Sequence, residues 1–451
     1  MAPEEKELRH LLSRTGFGVP RADELLAYAG LAYGDAVSSL LDSVNTTSFL
    51  PEPDWLDVLE RAPSHWSTDQ KKQWKKDRNK LRNNAMPAWW YGEILSTPSP
   101  FTERMVLFWH GHFTSSAQRV KHPPLMYEQN VLFREHATGN FADLLHAVSK
   151  DPAMMVYLDT DSNTRSQPNE NYARELMELF TLGEGRGYTE EDVIEAARAL
   201  TGWRYERERG FRVSGRDRDI GQKTILGQTG RFDGVDLIDI LLDQPRLAEH
   251  ITERLWHSFI SNAPDPSEVR RLAAIFRDSG YEIRPLLEGL FMSAGFRDPA
   301  NRGTMVKSPT DLIAGTLRLI HYQPTEIPML MHRVGRDLGQ ELFKPPNVKG
   351  WPGGLAWIDT SLLPERYAFL SSVSHVVDAL ERRGQMPSLN SEQRRAMSGV
   401  RLEDVDRNAL RALARTAPDQ LAEHILPLPR SSSGSPGKLG TYFLDPTYQL
   451  K

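Results

Sequence analysis

The sequence predicts a mainly α-helical protein, a multi-helical globular body with a small β-hairpin or irregular flap, and three observations carry that expectation. Apolar residues recur at the three-and-four spacing of a helix face along almost the whole chain. Helix-start signals stand directly before several of these runs. Only residues 204–226 change to short alternating segments rich in Arg, Gly and Asp, which read as the flap.

Taken in order, Leu8, Leu11 and Leu12, then Leu25, Leu26 and Tyr28, then Val37, Leu40 and Leu41 mark short opening helices. A longer helix is predicted over 68–95. It carries Lys71, Lys72, Lys75, Lys76, Arg78, Lys80 and Arg82 among Trp66, Trp74, Trp89 and Trp90, and reads either as a solvated face with docking tryptophans or as a polyanion- or sugar-binding arm. Ser99-Pro100 starts the next helix with proline at its first position. Helices follow over 126–136, 141–149, 169–182 and 190–201, the last opened by Thr189 with Asp192 three places on. Beyond the flap come 235–242, 245–260, 266–278, 283–292, 310–320 and 327–338, then a Pro- and Gly-rich loop over 344–354, then 363–381 and 408–424. No fixed-period repeat interrupts the series.

The 451 residues are 39% hydrophobic and 25% charged, a globular balance that rules out a disordered chain. A net charge of −5 gives no global field for nucleic acid or an anionic membrane, so any anion site is local. The lack of cysteine excludes disulfides, thiolate ligands and a cysteine nucleophile. No apolar run approaches the roughly 20 residues of a membrane span, and the charged N-terminus has no signal core. The chain as written is expected to be soluble and cytoplasmic, or exported if a leader has been removed. A single body is expected over 1–429, a flexible Ser/Gly-rich linker over 430–440, and a C-terminal segment over 441–451 docking on the body.

Candidate chemistry begins with Trp109-His110-Gly111-His112-Phe113. Residues two apart on a helix diverge by about 200°, so His110 and His112 share a volume only if Gly111 ends the helix. On the helix over 169–182, Asn171, Arg174, Glu175 and Glu178 fall within one arc, where two carboxylates are placed to ligate a metal or to divide acid and base roles. Arg198, Lys223 and Lys307 are further charged candidates. In the loop over 344–354, prolines and glycines hold an irregular backbone around Asn347, Lys349 and Trp351. No phosphate loop, dinucleotide fingerprint, zinc-protease helix or nucleophile elbow is present.

The segments Arg9 to Gly18, Trp109 to Phe113, Asn169 to Gly183, Tyr188 to Trp203, Asp219 to Gly227, Val306 to Pro309, Leu342 to Trp357 and Asp445 to Gln449 occur in this order along nearly the whole chain. In them the sequence resembles the bacterial family called domain of unknown function 1800. The resemblance implies a shared site and brings no established activity. One departure stands before Lys223: the family usually reads His-Asp-x-Gly-x-Lys, and here Arg218 takes the place of that histidine.

Together these observations read as a centre of His110, His112, Glu175 and Glu178, possessing either acid–base character or a divalent metal. Arg174, Arg198, Lys223, Lys307, Asn347, Lys349 and Trp351 are the candidate substrate-binding residues around it. The matching activity is hydrolysis of an anionic or carbohydrate substrate. Two other readings fit the sequence: a non-catalytic module for a polysaccharide or other extracellular polymer, using Trp351, Trp357 and the Lys-rich, Trp-containing helix over 68–95, and a scaffold whose polar centre is a buried ion network. Expected partners are a small molecule or carbohydrate, with neither nucleic acid nor a membrane span.

Overall fold

The computed structural model describes residues 3–58, 61–206, 209–381, 388–431 and 438–451. It is mainly helical, and the strands among the described residues form two short antiparallel hairpins. β1 (Trp203–Glu206) pairs with β2 (Gly210–Val213), and β3 (Lys223–Ile225) pairs with β4 (Gln228–Gly230). The flap expected over 204–226 is therefore a pair of hairpins. Residues 207–208 in it, and 432–437 in the expected linker, lie outside the described residues. Among the described residues no helix is long and apolar enough to cross a membrane.

The helices that build the site begin with α1 (Pro3–Thr15), α2 (Thr68–Lys80), α3 (Met86–Ser96), α4 (Pro100–His112) and α5 (Pro123–Glu135). They continue with α6 (Glu170–Glu175), α7 (Glu190–Ala199), α8 (Pro245–Phe259), α9 (Pro309–Leu319), α10 (Met331–Asp337) and α11 (Leu362–Glu381). Capping chemistry sets many of their starts. Ser67 with Gln70, Thr189 with Asp192, and Ser308 with Asp311 each form reciprocal capping boxes, and Pro100, Pro245 and Pro309 occupy first-turn positions where a missing N–H costs nothing.

Four helix expectations need correction. The predicted 68–95 helix is a continuous rod containing a π turn, Leu81–Ala85, between α2 and α3. Pro87 has no N–H for the Asn83 carbonyl, and the wider turn lets the Met86 amide bond to Leu81 five residues back. The 169–182 helix is α-helical only through Glu175 and continues as a π segment, Leu176–Leu182, where the Thr181 hydroxyl donates into the ladder at the Leu176 carbonyl, 2.6 Å away. The predicted 408–424 helix is two helices, Arg407–Ala414 and Pro418–Ile425, because Pro418 cannot continue the first. Finally, α10 starts at Met331 rather than 327, after Pro328.

One buried apolar cluster runs from Leu11 on α1 to Tyr448 near the C-terminus. α3 is its axis, with Met86 through Leu95 all buried, including Trp89, Trp90 and Tyr91. The chain end returns to this core: Val306 pairs with Leu450, and the Tyr448 hydroxyl meets Thr316 on α9 at 2.8 Å. That pairing delivers Lys451 to the junction of α4 and α9.

Candidate functional site

Arg104, Leu107, Phe108 and Gly111 recur at i, i+3, i+4 and i+7, so they form one face of α4, and this face is one wall of a cleft of about 400 Å³. Arg254, His257 and Ser258 supply the facing wall from α8, again at helical spacing. Ser308, Asp311 and Lys451 form the floor, and Trp351 through Gly354 with Trp357 close the side. The loop sits this close because Gly350 adopts φ +82° and a Cβ there would lie 2.7 Å from the Gly111 carbonyl oxygen. A larger cavity, about 1060 Å³, lies at the N-terminal end against Leu8, Leu25, Leu26 and Leu31, with Glu4, Glu5 and Glu7 among its polar residues and its one arginine, Arg297, paired with Glu7.

The cleft is cationic. Asp311 is buried, with Oδ1 2.7 Å from Arg104 and Oδ2 2.7 Å from Lys451. Burial alone would raise its carboxyl, but the two cations outweigh this and hold it well below the usual carboxylate range. Arg14, Lys307 and Arg366 also face Asp311 from behind the floor. Burial and Arg104 push the Lys451 ammonium down to about 7 despite Asp311.

Arg254 has no such compensation: its Nε is buried without a partner, and among the described residues it makes no ion pair or hydrogen bond. Burial lowers its pKa, with no carboxylate opposing. Its field also lowers His112, His250 and His257, all of which burial already favours in the neutral form.

The residues expected from sequence are spread over several places. α4 continues through Gly111 to His112, so the expected helix end at Gly111 is wrong: the glycine keeps helical backbone and simply leaves the cleft wall bare. His110 and His112 consequently flank the cleft face on opposite sides. His110 is boxed by Trp90, Phe343 and Trp351, its Nε2 unpartnered and its pKa pushed down to about 3 by burial. His112 reaches the π segment, where its Nε2 lies 3.1 Å from the Phe180 carbonyl oxygen.

Glu175 and Glu178 lie beside Arg174, which pairs with Glu170, Glu178 and Glu190. Burial and repulsion from Glu178 raise the Glu175 carboxyl, with Arg174 and Lys349 acting against them. Among the described residues the loop reaches this patch only through Lys349, 2.8 Å from Glu184, while Trp351 turns to the cleft; the Asn347 side-chain Oδ1 accepts from the Lys349 backbone amide at 2.9 Å. Arg198 is tied to Glu195 and Asp219, and Lys223 donates to the Asp219 and Gly221 carbonyls at 2.8 and 3.0 Å. Arg218, at the departing position, pairs with Asp233 at 2.9 Å. Lys307 lies over the Tyr448 ring, 3.6 Å from its centroid.

The four residues expected to hold a metal are thus not gathered, and among the described residues no three His, Asp or Glu side chains are disposed to hold one. Of the expected set, Trp351 lines the cleft and Lys307 and His112 stand directly behind its walls. Arg104, Arg254, His257, Asp311 and Lys451 were missed. Asp311 carried a signal, as the acidic member of a Ser-x-x-Asp box before an apolar run; Arg254 carried none, being one charged residue on an amphipathic helix. A family model described as Protein of unknown function (DUF1800) matches residues 10–450. No curated protein and no solved structure matches the chain.

Proposed function

The chain belongs to the DUF1800 family, whose description names no activity, and we propose a function from the cleft itself: it binds an anionic ligand with a sugar-like body. Arg254 takes the charged group, and Phe108 and Trp351 provide the surface against which the body lies. The observation that carries this reading is the unpartnered guanidinium of Arg254 in a cleft that Arg104 and Lys451 also line, since a desolvated cation without a counter-charge is costly and a bound anion offsets that cost.

A second reading, acid–base hydrolysis of the same ligand, rests on His257. It lies three residues from Arg254 on the same helix face, and partial desolvation and Arg254 lower its imidazole pKa, which favours the neutral form a base requires. In this reading His110 adjoins the cleft through Trp351, His112 through Arg254, and Glu175 and Glu178 through Lys349 of the loop.

Titration calorimetry and tryptophan fluorescence with glucuronate and with inorganic phosphate test binding. Arg254→Gln is expected to weaken glucuronate by about tenfold or more, in line with loss of a charge-assisted contact. Equal affinity in the two proteins, or no binding of either probe, would falsify the anion site. Retained binding without turnover of glucuronides would leave binding and remove the hydrolytic reading.

A further inference from the structure

A second polar cavity, about 380 Å³, opens where the α2–α3 rod passes through its π turn. Asn83 and Asn84 of that turn line it together with His332, Arg333 and Arg336 of α10 and with Lys344 at the start of the Pro- and Gly-rich loop. Glu341 matches Lys344 at 2.6 Å and Asp337 approaches Arg336 at 3.4 Å, but the Arg333 side chain has no ionic or hydrogen-bond partner among the described residues. His332 is 2% exposed, and its Nδ1 faces the Met329 carbonyl at 3.1 Å. The neutral ring therefore donates from Nδ1 and leaves Nε2 as an acceptor. Burial, with Arg333 and Lys344, holds that ring neutral, at about 4.

The helix leading into this cavity is charged all round. No residue of α2 is buried, and its sequence carries Lys71, Lys72, Lys75, Lys76, Arg78 and Lys80 against two acidic residues, Asp69 and Asp77. Lys75, Lys76 and Lys80 are exposed and pair with no carboxylate among the described residues. A helix polar on every side gains little from the core, so its surface is available to a partner of opposite charge.

We propose that α2 and the cavity at its π turn bind an acidic polysaccharide, the lysines following its charges and the cavity taking one sugar unit. A membrane is disfavoured because α2 has no apolar face to insert. Nucleic acid is disfavoured because α2 carries a single aromatic, Trp74, and one face of that ring is taken by Arg78, 4.2 Å from its centroid, which leaves no row of rings for successive bases. The amides of Asn83 and Asn84 and the acceptor nitrogen of His332 suit the hydroxyl groups that separate the charges of an acidic sugar polymer. This site is independent of the cleft reading.

The test uses the full chain and an end-labelled polygalacturonate fragment, followed by fluorescence anisotropy. Arg333→Gln/Arg336→Gln and, separately, Lys75→Gln/Lys76→Gln/Lys80→Gln each change exposed residues and are expected to bind about tenfold more weakly, the lysine variant with a flatter salt dependence. In the wild type, histidine NMR should show His332 titrating at higher pH once the polymer is bound. Arg254→Gln should keep the polymer affinity. If both surface variants bind as the wild type does, or if a single-stranded oligonucleotide of equal charge displaces the polymer at lower concentration, the proposal is wrong. If Arg254→Gln alone abolishes binding, the polymer sits in the cleft; this proposal then fails while the cleft reading stands.

Discussion

Arg254 and Asp311 occupy the same cleft and carry opposite consequences for stability. Asp311 satisfies Arg104 and Lys451 at 2.7 Å each, so Asp311→Asn strands two buried cations and should cost about 3–5 kcal/mol. Arg254 satisfies nothing among the described residues, so Arg254→Met removes an uncompensated desolvation and should raise stability by about 1–2 kcal/mol while weakening the anion. Urea unfolding of the two variants checks both signs, and a destabilised Arg254→Met would show that the arginine is structural. Much of the site was invisible in the sequence for the same reason. Arg104, Arg254, Asp311 and Lys451 are individually ordinary charged residues far apart along the chain, and only packing reveals which of them lacks a partner. His110 and His112 drew attention by spacing, yet their helix turns them to opposite sides of the wall that Arg104 and Gly111 actually form.

The secondary structure was far more legible, because caps and periodicity are local. The Thr189 box, the proline starts of α4 and α8, and the helices Pro266–Asp278 and Ile283–Met292 follow directly from residue order. The π segments were not legible, since a wide turn keeps helical spacing and is decided by Pro87 in one case and by the Thr181 hydroxyl in the other. In the second segment, carbonyls of the widened ladder are met by side chains of other helices: Phe180 by His112 at 3.1 Å, Leu179 by His250 at 3.0 Å and Leu182 by Arg246 at 3.0 Å. Thr181→Val removes one donor and should cost about 1 kcal/mol by unfolding measurements. The histidine contacts predict a pH dependence. Burial first, then Arg254 and Arg246, lower His250 to about 4, whereas the unfolded ring titrates near its ordinary value of about 6.5. Below that value the unfolded chain binds a proton that the folded ring refuses. The contribution is thus complete above pH 6.5 and is lost as pH falls towards 4, at up to about 1.4 kcal/mol per pH unit. His250→Gln keeps a donor for the Leu179 carbonyl without the titration, so its stability should fall less between pH 7 and pH 5; an unchanged slope would assign the acid sensitivity to other groups.

At the scale of the molecule, a chain with an excess of acidic residues gathers one buried cluster rich in basic side chains beside the cleft. The chain carries −5 overall, yet Arg14, Arg104, Lys307, Arg366 and Lys451 are all buried around the single carboxylate side chain of Asp311. Several of the guanidinium donors are spent on backbone oxygens instead: Arg14 on Ile260 at 3.1 Å and Arg366 on Lys307 at 2.9 Å. Carbonyls satisfy hydrogen bonds without cancelling charge, so the guanidinium groups of this cluster keep an excess of positive charge behind the cleft, even with burial lowering the Lys307 and Lys451 ammonium groups. Simple salt screens exposed charges lying more than a Debye length of about 8–10 Å apart and reaches this buried charge poorly, whereas an anion seated against Arg254 offsets it directly. Added glucuronate should therefore raise the melting temperature beyond sodium chloride at matched ionic strength, with a stabilisation of about 2.7 kcal/mol at a hundred times its dissociation constant. Arg254→Gln should melt at the same temperature in either salt, and Lys75→Gln/Lys76→Gln/Lys80→Gln, remote from the cleft, should keep the full shift. A shift that survives Arg254→Gln would place the stabilising anion elsewhere in the molecule.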